Sequence, residues 1–161
     1  MKKAKNIINR LLFVAALAIT FQAAQAQEDK KDKIRDLIES QQYVFTAQSM
    51  IPTRGGLRYL TSGYDLAVSK DTVEAFLPYF GRAYMAPVDP LGGPLKFTST
   101  DFKYEISKGK KGSWEIIIKP KDIRYGEQLY LRVFENGSAT LRVVSNNRDP
   151  ISFNGYISKT S

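Results

Sequence analysis

The strongest constraint on this 161-residue chain is a period of two: over its second half and beyond, apolar side chains recur at alternate positions in run after run. Tyr64, Leu66 and Val68 alternate with Asp65, Ala67 and Ser69. Val73, Ala75, Leu77 and Tyr79 alternate with Glu74, Phe76 and Pro78. The pattern returns at Phe102, Tyr104 and Ile106, at Trp114, Ile116 and Ile118, and at Leu129, Leu131 and Val133. It continues through Ala139, Leu141 and Val143 to Ile151, Phe153 and Ile157. Successive side chains of a strand point to opposite faces, so each run reads as a strand with one face in a core and the other in water. Turn signals separate the runs at Lys70-Asp71, Gly109 to Gly112, Glu135-Asn136-Gly137-Ser138 and Asn146 to Pro150. Asn136-Gly137 marks a hairpin, since a type I′ turn needs positive φ at both central residues.

With the less regular stretches Tyr43 to Ala47 and Leu57 to Thr61, about eight antiparallel strands are expected. No long helical pattern lies between them, which argues against parallel βαβ architecture. A meander of this size must hide its edges. An up-and-down barrel or a strongly curved sheet does so, and an open antiparallel sheet packed on a helix is the alternative. The helix is expected at about 28–42, where Ile34, Leu37, Ile38 and then Gln41 or Phe45 recur at helical spacing among dense charge. It would plug one end of the barrel. Ala86 to Pro94 holds three prolines and two glycines and reads as a loop.

Residues 1–26 read as an export signal. Lys2, Lys3, Lys5 and Arg10 give a basic start, Leu11 to Phe21 an apolar run, and Ala24-Gln25-Ala26 a small-x-small cleavage site. The apolar run is 11 residues long, short of the roughly 20 that span a bilayer. The mature chain is then one domain, 27–161, periplasmic or secreted, with no stable membrane insertion. It is not a lipoprotein, because there is no cysteine to lipidate. Removing the four leader bases leaves 20 basic against 16 acidic residues, so the net charge falls from +8 to +4. The remaining bases are spread out, with one cluster at Lys108, Lys110 and Lys111. No basic face with a reading element points to nucleic acid.

The absence of cysteine and histidine removes disulfides, thiol nucleophiles, thiolate and imidazole metal sites, and Ser-His-Asp chemistry. A glycosidase would need two carboxyls sharing a cleft. Asp65, Glu74, Glu105, Glu115 and Glu135 instead fall on the solvated phase of their strands. No acidic cluster resembles a calcium loop, and Gly55-Gly56 and Gly92-Gly93 lack a phosphate-loop pattern. No catalytic residue, metal or cofactor is expected.

Two segments carry the residue types of a recognition surface. Leu77-Pro78-Tyr79-Phe80-Gly81-Arg82-Ala83-Tyr84 sets three aromatics and an arginine about a glycine. Ser145-Asn146-Asn147-Arg148 sets two amides and a second arginine at a strand end. Aromatic faces with Arg and Asn beside them stack on and hydrogen-bond polar ligands. The competing account is structural: Pro78 and Gly81 bend an edge strand, the aromatics fill the core, and Asn146 and Asn147 serve a turn. Tyr79, Arg82, Tyr84, Asn147 and Arg148 are the candidate ligand-binding residues. The strand ends after Leu77 and after Val144 are expected to lie together.

At these segments the chain resembles a family of secreted bacterial proteins, mostly of Bacteroidetes, known as domain of unknown function 4251. The matching residues are Gly63-Tyr64-Asp65-Leu66, Leu77 to Tyr84 with Ala86-Pro87, Lys110-Lys111-Gly112 before Trp114-Glu115-Ile116, and Ser145 to Arg148. The similarity runs over about residues 35–158. The resemblance implies an exported, lipocalin-like β domain and implies no reaction or site residue. The function expected first is a non-enzymatic binding protein that takes a small apolar or glycan-like molecule in the barrel mouth. The second is an envelope protein-interaction module or inhibitor with a solid barrel, and the third a carboxylate-dependent hydrolase. A side-chain-filled interior with an exposed apolar patch would favour the second over the first.

Overall fold

A computed structural model describes Gln25 and residues 27–79 and 94–160 of the protein. The leader expected over 1–26 lies outside the described residues, Gln25 excepted, and so does the 86–94 loop apart from Pro94. A helix, α1 (27–40), is followed by ten strands among the described residues. These are β1 (Tyr43–Pro52), β2 (Arg58–Tyr59), β3 (Asp65–Val68), β4 (Val73–Leu77), β5 (Leu95–Ser99), β6 (Phe102–Lys108), β7 (Trp114–Pro120), β8 (Gln128–Val133), β9 (Ser138–Val144) and β10 (Ile151–Ser158). They form one antiparallel sheet of order β5-β4-β3-β1-β10-β9-β8-β7-β6, with β2 paired to β1 beside β3.

That order is an up-and-down meander whose first strand closes on its last. Its two ends, β5 and β6, are consecutive in the chain, with only Thr100 and Asp101 between them. Every neighbouring pair is antiparallel, so β5 and β6, eight steps apart, run in the same direction. They are one bent strand, paired through its first half to β4 and through its second half to β7. The bend carries the sheet round into a nearly closed barrel. With β5 and β6 joined and β2 an offshoot, the ring itself has the eight strands that the alternation leads one to expect.

Asp122, just after β7, fastens the bend. Its carboxylate accepts hydrogen bonds from the Ser99 hydroxyl, from Thr100 N–H at 2.8 Å and from Asp101 N–H at 3.2 Å. Lys121 N–H adds a bond to the Asp101 carbonyl at 2.8 Å. The Ser99 hydroxyl and then the backbone donors hold the Asp122 carboxyl down at about 2. A carboxylate held below its ordinary range contributes stability above that range and loses it as pH falls through the folded value. The protein should therefore lose melting temperature between about pH 4 and about pH 2, and Asp122→Asn should flatten that loss. Melts of both proteins across that window check this, and superposable pH profiles would sink it.

The alternation resolves into faces as expected except along β6, where Phe102 and Tyr104 are only half-buried and Ile106 is exposed. β7 buries Trp114, Ile116, Ile118 and Pro120 and leaves Glu115, Ile117 and Lys119 half-buried on the outside. Glu74 and Glu105 are exposed, and Asp65, Glu115 and Glu135 are half-buried. One turn departs from expectation. The β8–β9 hairpin does form at Asn136-Gly137, but only Gly137 has positive φ, at 83°. Gly137 N–H bonds the Phe134 carbonyl at 2.8 Å and Phe134 N–H bonds Ser138 at 2.9 Å. This is a three-residue loop ending in a glycine bulge rather than a type I′ turn. Asn136 is held there by its side chain, whose Oδ1 accepts from Ser138 N–H and from the Ser138 hydroxyl.

The helix covers one end of the barrel, with Ile34 and Ile38 in the core. It stops two residues short of the expected boundary, and Gln41 (φ 54°) is a left-handed C-cap rather than part of the stripe. Gln41 N–H bonds Ile38 and Gln42 N–H bonds Leu37, which satisfies two terminal carbonyls. A tyrosine relay ties this end to the wall: Tyr104 donates to the Ile38 carbonyl at 3.1 Å, and the Tyr43 hydroxyl lies 3.1 Å from that of Tyr104. Burial pushes the Tyr104 phenol up to about 12 and Tyr43 well above its ordinary value. Among the described residues no helix is long and apolar enough to cross a membrane.

Candidate functional site

The inside of the barrel is occupied by the protein itself. Tyr43, Phe45, Phe153, Leu66 and Leu77 are fully buried, and Met50, Ile116 and Leu131 are 1% exposed. Large side chains from both walls thus meet across the axis, and among the described residues the accessible chemistry is on the outside. No group of three or more Asp or Glu residues among them is placed to hold a metal ion.

The structure brings part of the sequence-predicted cluster together. Tyr79 follows β4 and Arg148 sits in the β9–β10 turn, and the Arg148 guanidinium lies 4.8 Å from the centre of the Tyr79 ring. The Tyr79 hydroxyl donates to the Asp149 carbonyl at 3.2 Å. Asn147 is buried, with its N–H bonded to the Ser145 hydroxyl at 3.2 Å. β4 and β10 are separated in the sheet by β3 and β1, so these contacts run across a barrel end between strands that do not pair. Arg82 and Tyr84 lie outside the described residues. Tyr79 and Arg148 are engaged with the fold itself, through a cation–π contact and a backbone hydrogen bond.

A second site was not visible in the sequence. β1 carries a bulge between Ala47 and Ser49, where its register against β10 slips. Around the bulge, Ala47 N–H bonds the Tyr64 carbonyl and Leu60 N–H bonds the Gln48 carbonyl, each at 2.9 Å. These bonds strap the segment from Tyr59 to Tyr64 along β1. Tyr59 stands opposite Ser49 on one side of β1, and Tyr156 stands opposite Thr46 on the other. Between them is a cleft of about 430 Å³, lined by both tyrosines with Thr46, Ala47, Gln48, Leu60, Thr61 and Ser62.

The exposure in this region is unusual. Tyr59 is 85% exposed, and Leu57, Ile51 and Tyr156 are between 42% and 50% exposed. Large apolar groups grouped at one place on a surface mark interaction sites more often than isolated ones do. The tyrosines offer flat apolar faces, and Thr46, Thr61, Ser62 and Gln48 offer hydroxyls and an amide between them. Tyr59 escaped the sequence pattern because β2 is two residues long and shows no alternation. Tyr156 escaped because pairing it with Tyr59 requires the register of β1.

Comparison with known proteins extends this picture. A search of curated proteins finds no match. Among solved structures, the chain is similar to the crystal structure of a DUF4251 family protein from Bacteroides eggerthii DSM 20697, with a TM-score of 0.62 and 19% identity. The likeness covers 81% of this chain and 87% of that one. At that identity it speaks to the fold alone, and the shared fold is the nearly closed barrel described above. A family model for a domain of unknown function, DUF4251, matches residues 25–157, from just before α1 to the last residue but one of β10. With its barrel and its helix within that match, the chain belongs to the DUF4251 family.

Proposed function

We propose that this is an exported, non-enzymatic binding protein that takes its ligand on the outside of a filled barrel, in the cleft between Tyr59 and Tyr156. The observation that carries the reading is Tyr59, 85% exposed at the rim of a cleft lined with hydroxyls. A glycan-like ligand fits this chemistry, since sugar rings pair an apolar face with a rim of hydroxyl donors and acceptors. The composition of the mature chain, without histidine or cysteine, supports a role that needs no nucleophile or general base. The basic start, apolar run and Ala24-Gln25-Ala26 site support export.

The test is a glycan array probed with the exported protein, followed by titration of the best-captured oligosaccharide. Tyr59→Ala should change stability by less than about 0.5 kcal/mol, because the side chain is exposed. It should weaken capture about tenfold, the usual scale for removing an aromatic anchor. Capture that survives in both Tyr59→Ala and Tyr156→Ala would overturn the proposal.

The filled interior and the exposed Ile51 and Leu57 together favour a second reading, a protein-interaction module, because these two side chains extend the exposed patch and have no flat face for a sugar. Loss of a co-purifying envelope protein on Leu57→Asp, with the glycan array blank, would decide for it. The Tyr79, Asn147 and Arg148 cluster, with Arg82 and Tyr84, is proposed as a further contact surface. An Arg148→Ala variant that loses stability but keeps full capture would reduce it to scaffold.

A further inference from the structure

We infer that the crevice under the β6–β7 turn is a binding site for an oxyanion group, sulfate or phosphate, carried on a sugar. It is separate from the tyrosine cleft and does not depend on it. The crevice is about 700 Å³ and is lined by Lys108, Lys110, Lys111, Glu115, Arg132 and Phe134. Four cations line it with one carboxylate, Glu115, and a second, Glu135, lies beside Gly112 and is paired with Lys31 at 2.6 Å. Glu115 Oε1 accepts from Arg132 Nε at 2.6 Å, which fixes the guanidinium and leaves its terminal nitrogens as further donors. Among the described residues no ion pair joins Lys108, Lys110 or Lys111 to an acid, so the crevice carries a concentrated positive charge.

The turn is built to hold those lysines in place. Gly109 N–H bonds the Ser113 carbonyl at 2.8 Å, and the Ser113 hydroxyl donates to the Lys110 carbonyl at 2.8 Å. Ser113 is buried, and a Cβ on Gly109 would meet its hydroxyl at 2.4 Å. At the tip Lys111 takes the left-handed conformation, φ 55° and ψ 40°, which favours glycine and disfavours a long side chain. The next residue, Gly112, is also left-handed at φ 72°, with the Glu135 side chain in the space a Cβ would need. A lysine kept in a glycine's conformation, beside two others that form no ion pair among the described residues, costs stability and has a use when an anion sits among them.

The surroundings narrow the ligand. Arg132 provides a planar donor set and the lysines provide mobile point charges, the pair of features that suits tetrahedral oxyanions. Phe134 gives one apolar wall, which a bare inorganic ion would not use and a sugar ring would cover.

The test is calorimetric titration of the protein with a heparin tetrasaccharide, glucose 6-phosphate and a neutral tetrasaccharide. Binding of at least one charged sugar is expected, with none of the neutral one and a loss of about tenfold on raising salt from about 50 to about 200 mM. The charged sugar that binds identifies sulfate or phosphate as the group read. Lys110→Ala/Lys111→Ala should abolish the binding, and Lys96→Ala/Lys103→Ala, exposed lysines elsewhere, should leave it intact. Lys111→Gly should raise the melting temperature while weakening binding, a pairing that a merely structural lysine would not give. Failure of both charged sugars to bind, or equal loss in the two double variants, would overturn the inference. So would binding only to phosphatidylglycerol vesicles, which would point to a membrane surface instead.

Discussion

Replacing Gly155 by alanine should cost about 3 kcal/mol or more, at the upper end of what forced overpacking does. A Cβ at this position would lie 1.9 Å from the Thr46 carbonyl oxygen, 2.9 Å from its carbon and 3.2 Å from the Ala47 Cα. All three are backbone atoms of β1, so no rotamer change relieves the clash. The φ of Gly155 is not in the left-handed region, so the requirement is for space alone. The crowding falls where Ala47 faces Gly155 and the register slips to Ser49 facing Asn154. The two strands that would have to separate are the first and last of the barrel, whose pairing closes the ring. Urea unfolding should show a lower midpoint with an unchanged slope. A variant within about 0.5 kcal/mol of the parent would mean that the strands do not approach this closely.

Gly155 illustrates what the sequence could and could not disclose. The faces of β3, β4 and β7 to β9 were legible because one buried wall imposes a strict alternation, and a shift of one residue would expose the whole apolar set. Where that condition lapses, legibility lapses with it. β5 was missed because Leu95 and Phe97 are too few to set a period after the proline- and glycine-rich segment. The second half of β1 was missed because the bulge at Gln48 breaks the alternation that Tyr43, Phe45 and Ala47 establish. The nearness of Tyr79 to Arg148 could be guessed from composition and a count of strand ends. The Tyr59–Tyr156 cleft could not, since its two walls are 97 positions apart in sequence and meet only through the register of β1 on both sides. Asp122 likewise looks like one more surface acid until the bend it clamps is seen.

Trp114→Ala should cost about 3–5 kcal/mol, the range for removing a large aromatic from a core. Trp114 is 8% exposed and shares the inner face of β7 with Ile116 and Ile118, which are 1% and 0% exposed. It is paired with Val133 of β8 and with Lys108 of β6, so its strand is held on both sides. Neighbours can collapse into the space it leaves only by bending a wall of the barrel, and ladder hydrogen bonds resist that. The cavity therefore stays largely open, and the cavity cost adds to the lost transfer energy. Trp114→Phe keeps most of the volume and should lose about 1–2 kcal/mol, so the pair separates packing from any role of the indole N–H. This is the chain's one tryptophan, so far-ultraviolet circular dichroism has to follow the unfolding in place of intrinsic fluorescence. The residue also follows the lysine turn directly, through buried Ser113. If the anion crevice needs that turn held rigid, Trp114→Phe should weaken binding of the charged sugar in proportion to its loss of stability. Lys110→Ala/Lys111→Ala should remove the binding with no loss of stability at all. A Trp114→Ala protein within about 1 kcal/mol of the parent would put the indole on the outer face and reverse the phase of β7.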